Sequence, residues 1–185
     1  METLADVVVE RSRKGVAVVL APLHAAHLDE LWLLFADVVA TGDGYPQVPP
    51  LTRAAFEDVW VRPVSAVVGA VVDGHLAGAY YLKTNGPGLG AHIANAGYVV
   101  DRRSRGQGIG RLLVADSVAR APLVGFDAVQ FNFVFASNPA RAMYEELGWE
   151  VVGRIPDAVV RPGRPVEDAV IYWRRVAHLR PSPQV

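Results

Sequence analysis

The run Arg105-Gly106-Gln107-Gly108-Ile109-Gly110 sits between two local patterns. An apolar strand pattern ends at Val100, and Ile109, Leu112, Leu113, Val114 and Val118 recur at helical spacing. Glycine lets a backbone turn sharply and approach a ligand closely. Free amides at a helix start, together with the helix dipole, attract an anion. Arg102, Arg103, Arg105 and Arg111 add positive charge around the run. A phosphate or pyrophosphate suits this chemistry; a tight turn with a solvated basic face is the alternative. A dinucleotide loop of the form Gly-x-Gly-x-x-Gly would need a third glycine where Arg111 stands, and the Gly-Lys-Ser/Thr of a P-loop is absent.

A second run reads Asn138-Pro-Ala-Arg-Ala-Met-Tyr144-Glu-Glu-Leu-Gly148-Trp. Locally, Asn138 is a good N-cap, Pro139 suits the first helical position and Gly148 ends the helix. Tyr144 then shares an apolar face with Met143 and Leu147. Two asparagines break apolar strand patterns: Asn95 in His-Ile-Ala-Asn-Ala-Gly-Tyr-Val-Val, and Asn132 in Val-Gln-Phe-Asn-Phe-Val-Phe. Asparagine is depleted in strands, and an unpaired buried amide costs about 1–3 kcal/mol. Either a neighbouring backbone, a bulge or a water satisfies them, or a polar substrate lies between their two strands.

These residues require strands and helices in alternation to place them. Val7–Glu10 and Val16–Leu20 read as β runs around the turn Arg11–Gly15. Pro22 is expected to open a helix from Ala21 to about Ala40, and Thr52 caps a short one to about Arg62. Ala66–Val72 and Leu76–Lys83 flank the hairpin signal Asp73-Gly74. Ala91–Val100 is a strand, Gly108 to Ala121 a helix, Asp127–Phe135 a strand, Pro139–Leu147 a helix and Trp149–Arg154 a strand. Residues 155–166 read as a Pro/Gly/Arg loop, and Glu167–Trp173 as a last strand. This order implies an α/β or α+β three-layer sheet. No linker divides it, so one domain over residues 1–185 is expected, with a loose tail at 178–185.

Composition narrows the class. The chain has 185 residues, 51% hydrophobic and 20% charged, which is globular. A net charge of −1 disfavours a nucleic-acid partner. Sixteen of the 18 basic residues are Arg; Lys14 and Lys83 are the two lysines. There is no cysteine, which excludes disulfides, thiolate metal sites and a cysteine nucleophile. No metal is implied: the five histidines lack ligand spacing beyond His24 and His27, an incidental pair. Met1–Glu10 carries acids and no cationic start, and no apolar stretch reaches the roughly 20 residues that span a bilayer. A cytoplasmic protein without a membrane partner is expected.

From about Ala91 to Gly153 the chain resembles the acetyl-CoA-binding core of the GCN5-related N-acetyltransferases. That pattern is an apolar strand, Gln/Arg-x-x-Gly-x-Gly/Ala, a helix, a strand, an Asn-bearing turn and a helix with a Tyr. Where the family often has Pro and an aromatic before the loop, this chain has Arg102 and Ser104. The resemblance implies a mixed, mostly antiparallel sheet flanked by helices, with acetyl-CoA bound where the central strands splay. It implies that the amides of Arg105, Gly106, Gln107, Gly108, Ile109 and Gly110 hold the CoA pyrophosphate, that Asn138 contacts the CoA arm and that Tyr144 faces the CoA sulfur. A neutral amine would attack the thioester, and the departing thiolate needs a proton. A phenol of pKa about 10 stays protonated at neutral pH and can give one, so Tyr144 is expected to be the general acid. Oxyanion donors are expected from the backbone at Tyr98, Val99 and Val100. No general base stands out among His92, Asp43, Glu145 and Glu146.

Tyr81-Leu-Lys-Thr-Asn-Gly-Pro-Gly, His92-Ile-Ala-Asn-Ala-Gly-Tyr and Phe131-Asn-Phe-Val-Phe-Ala-Ser-Asn138 further resemble the fungal Mpr-type acetyltransferases. Those act on azetidine-2-carboxylate and related cyclic imino acids. This implies that Asn95 and Asn132 hold the acceptor's carboxylate and nitrogen. The loop Thr41–Pro50, with Asp43 and Tyr45, would be part of the substrate wall. The expected function is therefore acetyl transfer from acetyl-CoA to a small amine in a ternary complex. The alternatives are a non-catalytic acyl-CoA sensor and a protein N-acetyltransferase, which an acidic groove would favour. The family often forms homodimers through late strands such as Glu167–Trp173.

Overall fold

The computed structural model describes residues 7–62 and 64–177. The tail expected at 178–185 and the first six residues of the N-terminal stretch lie outside these. Eight strands form one sheet: β1 (Val8–Arg11), β2 (Ala17–Pro22), β3 (Ala66–Val72), β4 (His75–Thr84), β5 (Ile93–Val100), β6 (Ala128–Phe135), β7 (Glu150–Val159) and β8 (Glu167–Arg175). Their order across the sheet is β1-β2-β3-β4-β5-β6-β8-β7. Every neighbouring pair is antiparallel except β5 and β6. The helices are α1 (Leu28–Ala40), α2 (Arg53–Trp60), α3 (Ile109–Arg120) and α4 (Arg141–Glu146). This is the expected three-layer mixed α/β fold.

β4 explains the layering. Its side chains alternate between faces, and residues 76–82 are all buried. Tyr80 and Leu82 join the core formed with Leu113 and Val114 of α3 and Phe131 of β6. Ala79 and Tyr81 join the core formed with Leu31, Phe35 and Val39 of α1 and Phe56 and Trp60 of α2. Covering each such side chain contributes about 1.5–3 kcal/mol, so both helical layers are bound to one central strand. Between α3 and the sheet, Asp116 accepts from the Tyr80 hydroxyl at 2.7 Å and from Arg120 Nε at 2.8 Å, a buried ion pair.

Several boundaries differ from expectation. Pro22 closes β2 rather than opening a helix, because residues 19–22 are paired in register with β3. A 3₁₀ turn, Ala25–His27, intervenes before α1. The stretch expected to be a loop from 155 continues β7 to Val159 across a break in register. There Asp157 adopts φ 51° and its amide donates to Asp168 at 3.1 Å. α4 begins at Arg141, not Pro139, and its N-cap position is Ala140. β8 has partners on both edges, so an edge-to-edge pairing of two copies at this end would use β7. Among the described residues no helix is long and apolar enough to cross a membrane.

Candidate active site

The parallel pairing of β5 with β6 runs through Ile93–Ala128 and Ala94–Val129 and stops at Asn95–Gln130. Beyond that rung the two strands part. β6 breaks register with β8 between Phe131 and Val134 at the same level. From Ala96 onward, the edge of β5 that faced β6 has no strand partner among the described residues. The backbone groups of Tyr98 and Val100 open on the gap, whereas Val99, expected beside them as an oxyanion donor, turns its backbone toward β4, as its neighbour Asp101 does in donating to the Ala77 carbonyl.

A cavity of about 200 Å³ fills the fork. Its walls come from β5 (Asn95 to Tyr98), β6 (Phe131 to Val134), Tyr81 and Lys83 of β4, and the loop Gly44 to Gln47; Asn138 and Tyr144 close it. The structure therefore brings together Tyr45, Asn95, Tyr98, Asn132, Asn138 and Tyr144. Tyr144 is buried against Phe131 and Tyr172, with ring centroids 5.0 and 5.6 Å away. Burial, followed by the neighbouring Tyr172, raises its phenol well above the ordinary value. The phenol is therefore protonated at neutral pH. Asn138 uses its side-chain oxygen to accept from the Ala140 amide at 2.9 Å, and it stands two residues ahead of the N-cap position expected of it.

The two strand asparagines differ. Asn95 is buried and satisfied: its Nδ2 donates to the Gln130 carbonyl at 3.1 Å, and its Oδ1 accepts from the Tyr81 hydroxyl at 3.1 Å. It pins the fork. Asn132 is exposed, on the same face of β6 as Gln130 and opposite the buried Phe131. It donates to Asn85 Oδ1 at 2.6 Å and accepts from Gln130 Nε2 at 2.8 Å, spanning the cavity rim. Gly97 makes room for Tyr81. A Cβ there would lie 2.6 Å from the Tyr81 ring.

The glycine run lies at the start of α3. Gly106 and Gly108 take φ 73° and 85°, left-handed values that favour glycine. Gly108 also lies against the β1–β2 turn, where a Cβ would meet Ser12 Cβ at 3.2 Å, whereas Gly106 borders open space. Among the described residues no backbone carbonyl receives the amides of Gly106 to Arg111. The helix's first bond runs from the Leu112 amide to the Gly108 carbonyl at 3.3 Å. These free amides fit an anionic group. Arg102, Arg103 and Arg111 are paired with Asp37, Asp101 and Glu146, which leaves Arg105 as the cation without an ion pair there among the described residues.

None of the expected bases reaches the cavity. His92 is exposed at the far end of β5 and bonds the Leu89 carbonyl. Asp43 is held by Arg161 and Arg164, Glu145 accepts from Tyr172 and Glu146 pairs with Arg111. Sequence reading missed Lys83 and Gln47. Both lie in the cavity wall, and Gln47 Oε1 and the Tyr45 hydroxyl are buried without a partner. For Lys83 a signal existed, its rarity in an arginine-rich chain. For Gln47 there was none.

One sheet thus carries a fork between parallel strands, a buried phenol at that fork and a helix start with free amides. The sequence model of the acetyltransferase (GNAT) family matches residues 28–149. N-acetyltransferase aca1 of Schizosaccharomyces pombe is 33% identical over 152 residues, 72% of this chain and 73% of that protein. The GCN5-related N-acetyltransferase from Kribbella flavida superposes with a TM-score of 0.79 at 30% identity, over 85% of this chain and 97% of that one. A phosphinothricin acetyltransferase from Sinorhizobium meliloti, in complex with acetyl-CoA, shares the fold with a TM-score of 0.78 at 20% identity, over 91% and 95%. The chain belongs to the acetyltransferase (GNAT) family and is an N-acetyltransferase with acetyl-CoA as donor.

Proposed function

We propose that this enzyme acetylates the neutral amine of a small molecule, an amino acid or a cyclic imino acid, by direct attack in a ternary complex. The observation that carries this is the fork itself: a cavity of about 200 Å³ lies between the parted strands, with the loop that bears Tyr45 as one wall, and has room for a small acceptor. An acidic groove would favour a cationic or protein acceptor; among the described residues no acidic residue lines this cavity. Bound acetyl-CoA would supply an activated acyl thioester. The amides from Gly106 to Gly110, with Arg105, would hold its pyrophosphate at the dipole of α3. Asn138 would bind the pantetheine arm. The free edge of β5 at Tyr98 and Val100 would stabilise the charge that develops on the acyl oxygen. Tyr144 would give its proton to the departing sulfur. With no carboxylate or imidazole in the cavity wall, the amine's proton would pass to water.

Release of free CoA from acetyl-CoA tests this across L-azetidine-2-carboxylate, L-proline, other amino acids, polyamines and aminoglycosides. Turnover with the amino or imino acids is the expected result. Acetyl-CoA binding without turnover on any amine would overturn the reading in favour of a sensor.

A further inference from the structure

Lys83 is the one charged side chain in the cavity wall. It stands on β4 opposite Asn95 of β5, two residues from Tyr81 and therefore on the same face. Its ammonium lies 4.9 Å from the centroid of the Tyr81 ring. No carboxylate forms an ion pair with it among the described residues, although twelve arginine–carboxylate bridges and the pair Arg120–Asp116 occur elsewhere. Partial burial lowers its pKa, a pull that the negative charge of Asp58 opposes. A cation kept partly from water and without a counter-ion calls for an anion from outside the chain.

The two orphaned atoms nearby complete the pattern. Among the described residues the Tyr45 hydroxyl is a donor without a partner, and Gln47 Oε1 is an acceptor without one. A cation, a hydroxyl and a carbonyl oxygen complement a carboxylate and the N–H of an adjacent amine. We propose that Lys83 is the anion anchor of the acceptor site, with Tyr45 beside it. It would select acceptors that carry a carboxylate next to the amine and reject polycations. This rests on the acyl-transfer reading above and adds the residue that sets its specificity.

The test compares the wild-type enzyme with K83M and K83R on L-azetidine-2-carboxylate and L-proline, each against its primary carboxamide, with spermidine as the cationic probe. A hydrogen bond to a charged group contributes about 1.5–3 kcal/mol, so K83M should raise KM for the carboxylates about 10- to 100-fold. Turnover of the carboxamides by K83M should stay within about threefold of wild type, and K83R should recover part of the loss. Equal losses on carboxylate and carboxamide would overturn the anchor while leaving the acyl-transfer reading intact. So would a fall in kcat at saturating acceptor with a shifted acid limb of the pH profile, the mark of a base. A wild-type preference for spermidine would also overturn it. Failure of the wild-type enzyme to turn over any acceptor would overturn the underlying reading and this inference with it.

Discussion

Arg161 and Asp43, 118 residues apart in sequence, are joined by a 2.8 Å bond between guanidinium and carboxylate. The same guanidinium pairs with Glu167 of β8, donates to the Gly42 carbonyl at 3.3 Å and lies over the Phe135 ring. Arg164 adds a second bond to Asp43 at 2.7 Å. The segment after β7 thus ties down the loop that carries Tyr45 and Gln47 into the cavity. Asp43 fastens that loop and is not among the residues that line the cavity.

R161A should therefore loosen residues 41–50 without touching the glycine run. We expect kcat/KM for the acceptor to fall about tenfold, the equivalent of about 1.4 kcal/mol. Acetyl-CoA affinity measured by calorimetry should be unchanged. A loss confined to acetyl-CoA binding would refute the coupling.

Tyr144 is the buried phenol at the fork, and the proposed reaction makes it the acid. Y144F keeps the ring and its contacts with Phe131 and Tyr172. It should lower kcat by about 10²–10⁴-fold, the usual range for a positioned acid, with little change in acetyl-CoA affinity or in thermal midpoint. Wild-type kcat retained in Y144F would remove the residue from the chemistry.

Local chemistry was legible where local rules decide it. The glycine run, the hairpin at Asp73-Gly74 and the Thr52 cap, whose side chain accepts from the Ala55 amide at 3.2 Å, need only their neighbours. What escaped depended on pairing at a distance. Alternation puts Asn132 on the face of Gln130, but its other partner, Asn85, comes from the loop after β4, 47 residues away. Pro22 signals a helix start until β3 pairs with its strand. Lys83 and Gln47 line one cavity only because the loop after α1 comes to the same place as the end of β4. Asn95 was recognised as a residue in need of partners; its partners, Gln130 and Tyr81, come from two other strands.

Gly97 and Asn95 act through one contact. G97A would push the Tyr81 phenol aside, because the new Cβ falls 2.6 Å from its ring. That breaks the bond to Asn95, and N95A breaks it from the other end. Each should destabilise the protein by about 1–3 kcal/mol. The double variant should cost clearly less than the sum, since both remove one interaction. Full additivity in urea titrations would show that the fork does not depend on this bond.

Alkali should destabilise the fold early. All six tyrosines are held above their ordinary value, with burial the largest cause for each; Tyr81 is pushed up to about 12. In the unfolded chain they ionise near pH 10. The native state then binds more protons, so the stability they contribute is complete below about pH 10 and is lost as pH rises beyond it. Urea midpoints should hold up to about pH 9.5 and fall steeply above it, with tyrosinate absorbance appearing only as the protein unfolds. Tyrosinate absorbance rising near pH 10 while the protein stays folded would contradict this.

Gly106 and Gly108 separate ligand binding from folding within one loop. Both have left-handed backbone, so an alanine at either carries a strain of about 1–2 kcal/mol. Only Gly108 also has a neighbour in the way, Ser12 Cβ at 3.2 Å, so G108A must move the β1–β2 turn or the start of α3. G106A adds its methyl to open space beside the free amides. G108A should accordingly lose more stability in urea titrations. G106A should lose little stability beyond the backbone strain yet weaken acetyl-CoA by about tenfold or more, since the added methyl and the pyrophosphate compete for the same space. If acetyl-CoA binds G106A as tightly as wild type, the amides at the head of α3 are not its pyrophosphate site.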